Sequence, residues 1–133
     1  KTLFLQAGNR WEMTANKEGR DLVCGLESAI EGDDRVSRRK LLSRLVIFLS
    51  STDTAAPAFV SHGGIPLLLA ATRDADEKIR IPALHTLTWL AKAGYGREIL
   101  SAGGSAALDV LLADPYPQVR QMASGLKELL DRV

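Results

Sequence analysis

Apolar residues recur along this chain at the three-to-four-residue spacing of a single helical face, in three long stretches. Leu41, Leu42, Leu45, Phe48 and Leu49 form the first stripe, Ile79, Ala83, Leu84, Leu87, Leu90 and Ala91 the second, and Val119, Ala123, Leu126 and Leu130 the third. Shorter apolar runs lie between the stripes and are punctuated by the paired glycines Gly63–Gly64 and Gly103–Gly104. No strand-rich pattern appears, so the elements predicted are helices.

The segment "HGGIPLLLAATRDADEKIRIPALHTLTWLA" lies without a gap over "AGGSAALDVLLADPYPQVRQMASGLKELLD" at a shift of 40, from Gly63 to Gly103. Leu68 then meets Leu108, Asp74 meets Asp114, Ile79 meets Val119, Arg80 meets Arg120, Ala83 meets Ala123 and Leu90 meets Leu130. Upstream, Phe59 pairs with Ile99, Val60 with Leu100 and Ser61 with Ser101. Each unit therefore predicts a short helix (near Ala55 to Ser61 in the first copy), a glycine turn, a second helix from about Ile65 to Thr72, and a long third helix. That third helix is capped by Asp76 and runs to about Lys92; in the next copy Pro117 sits near its first position. A looser copy in "DLVCGLESAIEGDDRVSRRKLLSRLVIFLSS" aligns at a shift of 42, placing Leu42 on Leu84, Leu45 on Leu87 and Phe48 on Leu90, with one gap near Asp33 to Ser37.

The short-helix, glycine-pair, long-helix unit resembles the armadillo repeat, and "D-x-x-x-x-V-R-x-x-A" at Asp114, Val119, Arg120 and Ala123 resembles its relative, the HEAT repeat. The resemblance implies an all-α, right-handed α-solenoid of about three units, near 21–54, 55–94 and 95–133, with residues 1–20 as an extension or cap. It also implies binding of other macromolecules rather than a reaction. Armadillo proteins that hold extended basic peptides carry W-x-x-x-N on the third helix. Here His85 and Trp89 stand at those places, with Ser43 and Ile47, and Gly125 and Leu129, in the flanking units. The asparagine ladder is missing, so recognition of nuclear localisation signals is not expected.

Trp89 falls opposite the core stripe of its helix, together with His85 and Lys92, and Ile47 repeats the exception at the aligned position. An apolar groove with an aromatic anchor suits a helix or apolar segment of a partner protein. The competing reading covers Trp89 internally, for instance with the N-terminal residues, whose Leu3, Phe4, Leu5, Trp11 and Met13 are too apolar for a free tail. Pro82 either kinks a helix capped by Asp76 or begins a helix near Ile81. Met122, Leu129 and Val133 flank the last core stripe, where they either offer an open solenoid end to a partner or, softened by their polar neighbours Lys127, Glu128, Asp131 and Arg132, form a terminal cap. The candidate partner-binding residues are thus Ser43, Ile47, His85, Trp89, Lys92 and Leu129.

Charge and chemistry narrow the function classes further. The 133 residues carry 17 basic and 16 acidic side chains, a net charge of +1, so no domain-wide field draws a phosphate backbone and nucleic acid is disfavoured. Its route, if used, would be Arg35, Arg38, Arg39, Lys40 and Arg44, although "RVSRRK" reads first as a solvated helix face. No apolar run is long enough to span a membrane. The single cysteine, Cys24, can form no internal disulfide, which favours an intracellular setting, and a chain opening on Lys1 fits a processed product or a piece of something longer.

Two histidines and one cysteine give no zinc spacing, and "EGDD" at Glu31 to Asp34 reads as a turn and cap rather than a calcium loop. "HGGIP" at His62 reads as the interhelical turn rather than an oxyanion loop, since no G-x-S-x-G nucleophile motif accompanies it. No Walker or dinucleotide glycine motif is present. Neither catalysis nor a cofactor is expected. The expected function is a non-catalytic scaffold or adaptor, alone or as a subunit or fragment of a larger assembly, with the regulatory domain of a larger enzyme as the rival.

Overall fold

The computed structural model describes residue 17 and residues 19–28, 35–51 and 55–133. "EGDD" and the first sixteen residues lie outside the described residues. In chain order the helices are α1 (19–28), α2 (Arg35–Ser51), α3 (Ala55–Ser61), α4 (Gly64–Ala71), α5 (Glu77–Leu90), α6 (Gly96–Ser101), α7 (Gly104–Leu111) and α8 (Pro117–Asp131). No strand occurs among the described residues.

The long helices α2, α5 and α8 stack side by side, α5 packing on both of the others. The shorter helices pack behind them, α4 on α5 and α7 on α8. The stripes read from the sequence form one continuous core from Val23 to Leu130, with Leu42, Ile79, Ala83, Leu84, Leu87, Leu90, Val119 and Ala123 fully buried. The result is an all-α solenoid, in which each unit hides its apolar face only by stacking on the next.

Each glycine pair does two separate jobs at the turn between the first two helices of a unit. Gly63 and Gly103 take φ of 82° and 96°, the left-handed region in which a side chain is strained. Their amides close the turn on the carbonyls of Val60 and Leu100, both at 3.1 Å. The second glycine of each pair is a matter of space. A Cβ on Gly64 would stand 2.3 Å from the Phe59 ring, and one on Gly104 would stand 2.8 Å from the Ile99 carbonyl oxygen. His62 is exposed on this turn, in the place that Ala102 takes in the next unit.

Asp76 caps α5, its carboxylate accepting from the Lys78 amide at 2.9 Å, and the helix passes through Pro82 as one element. The reading that starts this helix near Ile81 is therefore replaced by the capped one. Two threonines after the proline tie back to the preceding turn, Thr86 to the Pro82 carbonyl and Thr88 to the Leu84 carbonyl, both at 2.8 Å. The α-helix ends at Leu90 rather than Lys92. A wide turn, Ala91–Tyr95, with Gly94 at φ 104°, leads into α6.

Gly104→Ala is expected to lower unfolding stability by about 1–3 kcal/mol, because a backbone carbonyl cannot move aside as a side-chain tip can. His62→Ala, on the outside of the equivalent turn, is expected to change it by no more than about 0.5 kcal/mol. Urea unfolding followed by circular dichroism measures both, and equal effects would contradict this account of the turn.

Candidate binding groove on the third helices

Consecutive units are joined by arginine–aspartate pairs at the link between second and third helices. Arg38 of α2 bonds the carboxylate of Asp74, and at the aligned position Arg80 of α5 pairs with that of Asp114, its Nη2 donating to Oδ1 at 3.2 Å and its Nε in ion-pair contact 2.9 Å from Oδ2. Each aspartate also bends its own link. Asp74 accepts the Asp76 amide and Asp114 the Tyr116 amide, both at 2.9 Å. Within each unit the arginine returns to the carbonyl of the same aspartate, Arg80 to Asp74 at 2.7 Å and Arg120 to Asp114 at 2.6 Å. Arg39 adds a further bridge to Asp76 at 2.6 Å, and the Arg80 guanidinium lies 5.5 Å from the centre of the Tyr116 ring.

These pairs correct the reading of "RVSRRK" as a solvated face at Arg38, while Val36, Arg39 and Lys40 are exposed. The Arg38 side chain is only 12% exposed, and both Arg38 and Arg39 are committed to carboxylates of the next unit. Two of the five basic residues considered for a phosphate contact are thus already paired. Among the described residues no group of three His, Cys, Asp or Glu side chains could hold a metal ion, and no helix is long and apolar enough to cross a membrane.

The faces of α2, α5 and α8 turned away from the core carry five of the six residues singled out from the sequence, and the sixth, Lys92, lies in the wide turn after α5. Ser43, Ile47, His85, Trp89 and Lys92 are exposed, and Leu129 is half-buried. Ile47 is 69% exposed and Trp89 38%, so the indole is held at one side and open at the other. A small cavity of about 40 Å³ beside it is lined by Val46, Leu49, His85, Thr86 and Trp89, at the seam of α2 and α5. A larger cleft of about 610 Å³, lined by Leu22, Gly25, Leu41, Arg44, Ile47 and Phe48 among others, opens between α1 and α2. Ile47 thus belongs to that cleft, while His85 and Trp89 share the α2–α5 seam.

At the C-terminal end Leu129 is half-buried and Val133 is 53% exposed, as expected of the flank read from the sequence. Val133 is turned back toward α6, its Cγ2 lying 2.5 Å from where a Cβ on Gly96 would be, and Met122 packs against the core. The face of α7 and α8 turned away from α4 and α5 is built from other residues. Leu42 and Leu45 in α2 and Leu84 and Leu87 in α5 are buried, but the same two positions in α8 are Ser124 and Lys127. Likewise Ile65 and Leu69 of α4 are buried, whereas Ser105 and Asp109 of α7 are exposed. Lys127 and Asp109 lie 3.6 Å apart across this face. It is therefore polar where the junction faces are apolar, and covering it with another apolar unit would strand its polar groups. The signal was present in the 40-residue alignment, in the columns where the two copies disagree rather than agree.

With this geometry the fold is the armadillo-like helical repeat. No family model matches the chain, nor does any curated protein. Among solved structures the chain is similar to two engineered proteins from the Northeast Structural Genomics Consortium, at 24% and 21% identity and a TM-score of 0.73 for each. It is also similar to a designed armadillo repeat protein, at 18% identity and a TM-score of 0.69. The matches cover 86%, 86% and 84% of this chain but only 45%, 47% and 46% of those proteins, so it spans a little under half their length.

Asp114→Ala is expected to cost about 3–5 kcal/mol, since it leaves the buried Arg80 guanidinium without its carboxylate. Asp109→Ala, removing an exposed partner of Lys127, is expected to cost less than about 1 kcal/mol. Denaturant midpoints of the two variants give the comparison, and a small loss in Asp114→Ala would show that the units are held in register by packing alone.

Proposed function

We propose that this chain is a non-catalytic protein-binding module, a scaffold or adaptor, and that its partner lies along the outer faces of α2, α5 and α8. The observation that carries the reading is Trp89. A large aromatic side chain on the non-core face of the central helix is 38% exposed, with His85 and a small cavity beside it. Residues of this kind, rigid, amphipathic and part-desolvated before binding, dominate the energy of protein interfaces. Leu129 of α8 continues the apolar line from Trp89 at the aligned position, and Ser43, Ile47 and Lys92 frame it. The fold supports the same reading by analogy, since helical-repeat solenoids present extended surfaces built from equivalent positions of successive units.

The polar C-terminal face supports the groove over the open solenoid end as the binding surface. The division into an N-terminal extension and three units near 21–54, 55–94 and 95–133 belongs to the same proposal, each unit contributing one third helix to the surface.

Affinity capture from the source cells with the wild-type chain, followed by mass spectrometry, identifies the partner. Trp89→Ala is expected to weaken its binding by about 2 kcal/mol or more, roughly thirtyfold in Kd. Leu129→Glu is expected to weaken binding too, at a folding cost of no more than about 1 kcal/mol, because the side chain is already half in water. A partner retained equally by both variants would remove the groove as its site.

A further inference from the structure

The groove face is not electrically neutral, although the whole chain carries a net charge of only +1. Lys78 and His85, seven residues apart on α5, lie within about 20° of one direction on the helix, and Lys92, seven residues further on, sits in the wide turn that follows it. At 1.5 Å per residue the helix Glu77–Leu90 is roughly 21 Å long, with Lys78 near its start and Lys92 just beyond its end. All three are exposed. Just after α8 the position of Lys92 is held by Arg132, and in α2 that of Pro82 is held by Lys40, both exposed.

Arg38, Arg39 and Arg80 are bound to carboxylates, and Lys127 faces Asp109, whereas no carboxylate among the described residues pairs with Lys40, Lys78, Lys92 or Arg132. Glu128 of α8 is the acid on this face among the described residues, and it too has no basic partner. Among the described residues, the arginines that join the units are neutralised by carboxylates, and the basic residues on the groove face are not. Between the unneutralised ones lie Trp89 and Leu129.

The geometry points to an acidic amphipathic helix of a partner protein as the occupant of this face; the inference rests on the groove reading above and specifies its chemistry. Carboxylates repeated every seven residues on a helix share the spacing of Lys78 and His85 and carry on to Lys92 just beyond the helix end, so a partner helix of about four turns aligned with α5 meets both lysines at once. Its apolar residues, one turn inward from the acids, meet Trp89 and Leu129. A basic segment would set like charges against Lys78 and Lys92 and is excluded by repulsion. A nucleic-acid strand would use the cations but would leave Leu129 without a contact of its own kind and bring phosphates toward Glu128.

The test is selection of a displayed library of random peptides, each long enough for roughly four helical turns, on the immobilised full chain. Parallel selections use Lys78→Glu/Lys92→Glu, Trp89→Ala and a generic DNA duplex as competitor, with helicity of each variant verified by circular dichroism. Enrichment of peptides rich in Asp or Glu with apolar residues at helical spacing is expected, and their affinity is expected to fall at least about tenfold in the charge-reversed variant and in Trp89→Ala.

Enriched peptides that are neutral or basic, or that bind the charge-reversed variant unchanged, overturn the acidic partner while leaving the groove reading in place if Trp89→Ala still weakens them. Binding unchanged in Trp89→Ala overturns the groove reading itself. No enrichment at all, or displacement of the peptides by the duplex with a steep salt dependence, also overturns the proposal, the latter in favour of a nucleic-acid surface.

Discussion

The stacking of this chain turns on one small group used several ways, the aspartate between the second and third helices of a unit. The Asp114 carboxylate receives Arg80 from the preceding unit and the Tyr116 amide of its own link, while its carbonyl receives Arg120 from the following helix. Asp74 repeats the arrangement with Arg38, the Asp76 amide and Arg80. Apolar burial provides the cohesion between units, but it is nearly indifferent to a small slide or rotation. A buried, charge-assisted pair is not, because a displaced partner leaves an uncompensated charge out of water. The aspartate thus converts a greasy contact into a register, and the direction in which each third helix presents its outer face follows from it.

That register matters for function because α5 serves three neighbours. Leu84, Leu87 and Ile79 go to the core, Arg80 reaches the following unit, and Thr86 closes the seam toward α2. What remains is a narrow face holding Lys78, His85 and Trp89, with Lys92 in the wide turn that follows. A residue on that face needs a reason other than packing, and Trp89 has no complete one within its own helix. Its part-burial beside Val46 and Leu49 fixes the ring without covering it, which lowers the conformational entropy lost when a partner closes over it.

The two ends of the stack are chemically unlike. At the end formed by α7 and α8 the leucine positions of the middle unit become Ser124 and Lys127, and Ile65 and Leu69 become Ser105 and Asp109. At the other end, α1 and α2 leave a cleft bordered by Leu22, Leu41 and Phe48. A solenoid with an apolar end tends to associate through it, and a polar end resists doing so.

Much of this was legible in the chain. The 3.6-residue stripes, the 40-residue shift and the glycine pairs determined the helices, their order and their core residues, because backbone periodicity and the left-handed turns at Gly63 and Gly103 are local properties. The non-core direction of Trp89 followed from the same angular arithmetic. The tertiary structure alone decided what the polar residues do. Whether Arg38 is a surface charge or a buried bridge depends on a carboxylate 36 residues away, and sequence spacing carries no information about that distance. Val133 turns back toward Gly96 because a side chain is missing there, which no stripe reveals. Position in a helix follows from the chain itself; exposure at its outer faces follows from which neighbour stacks against it.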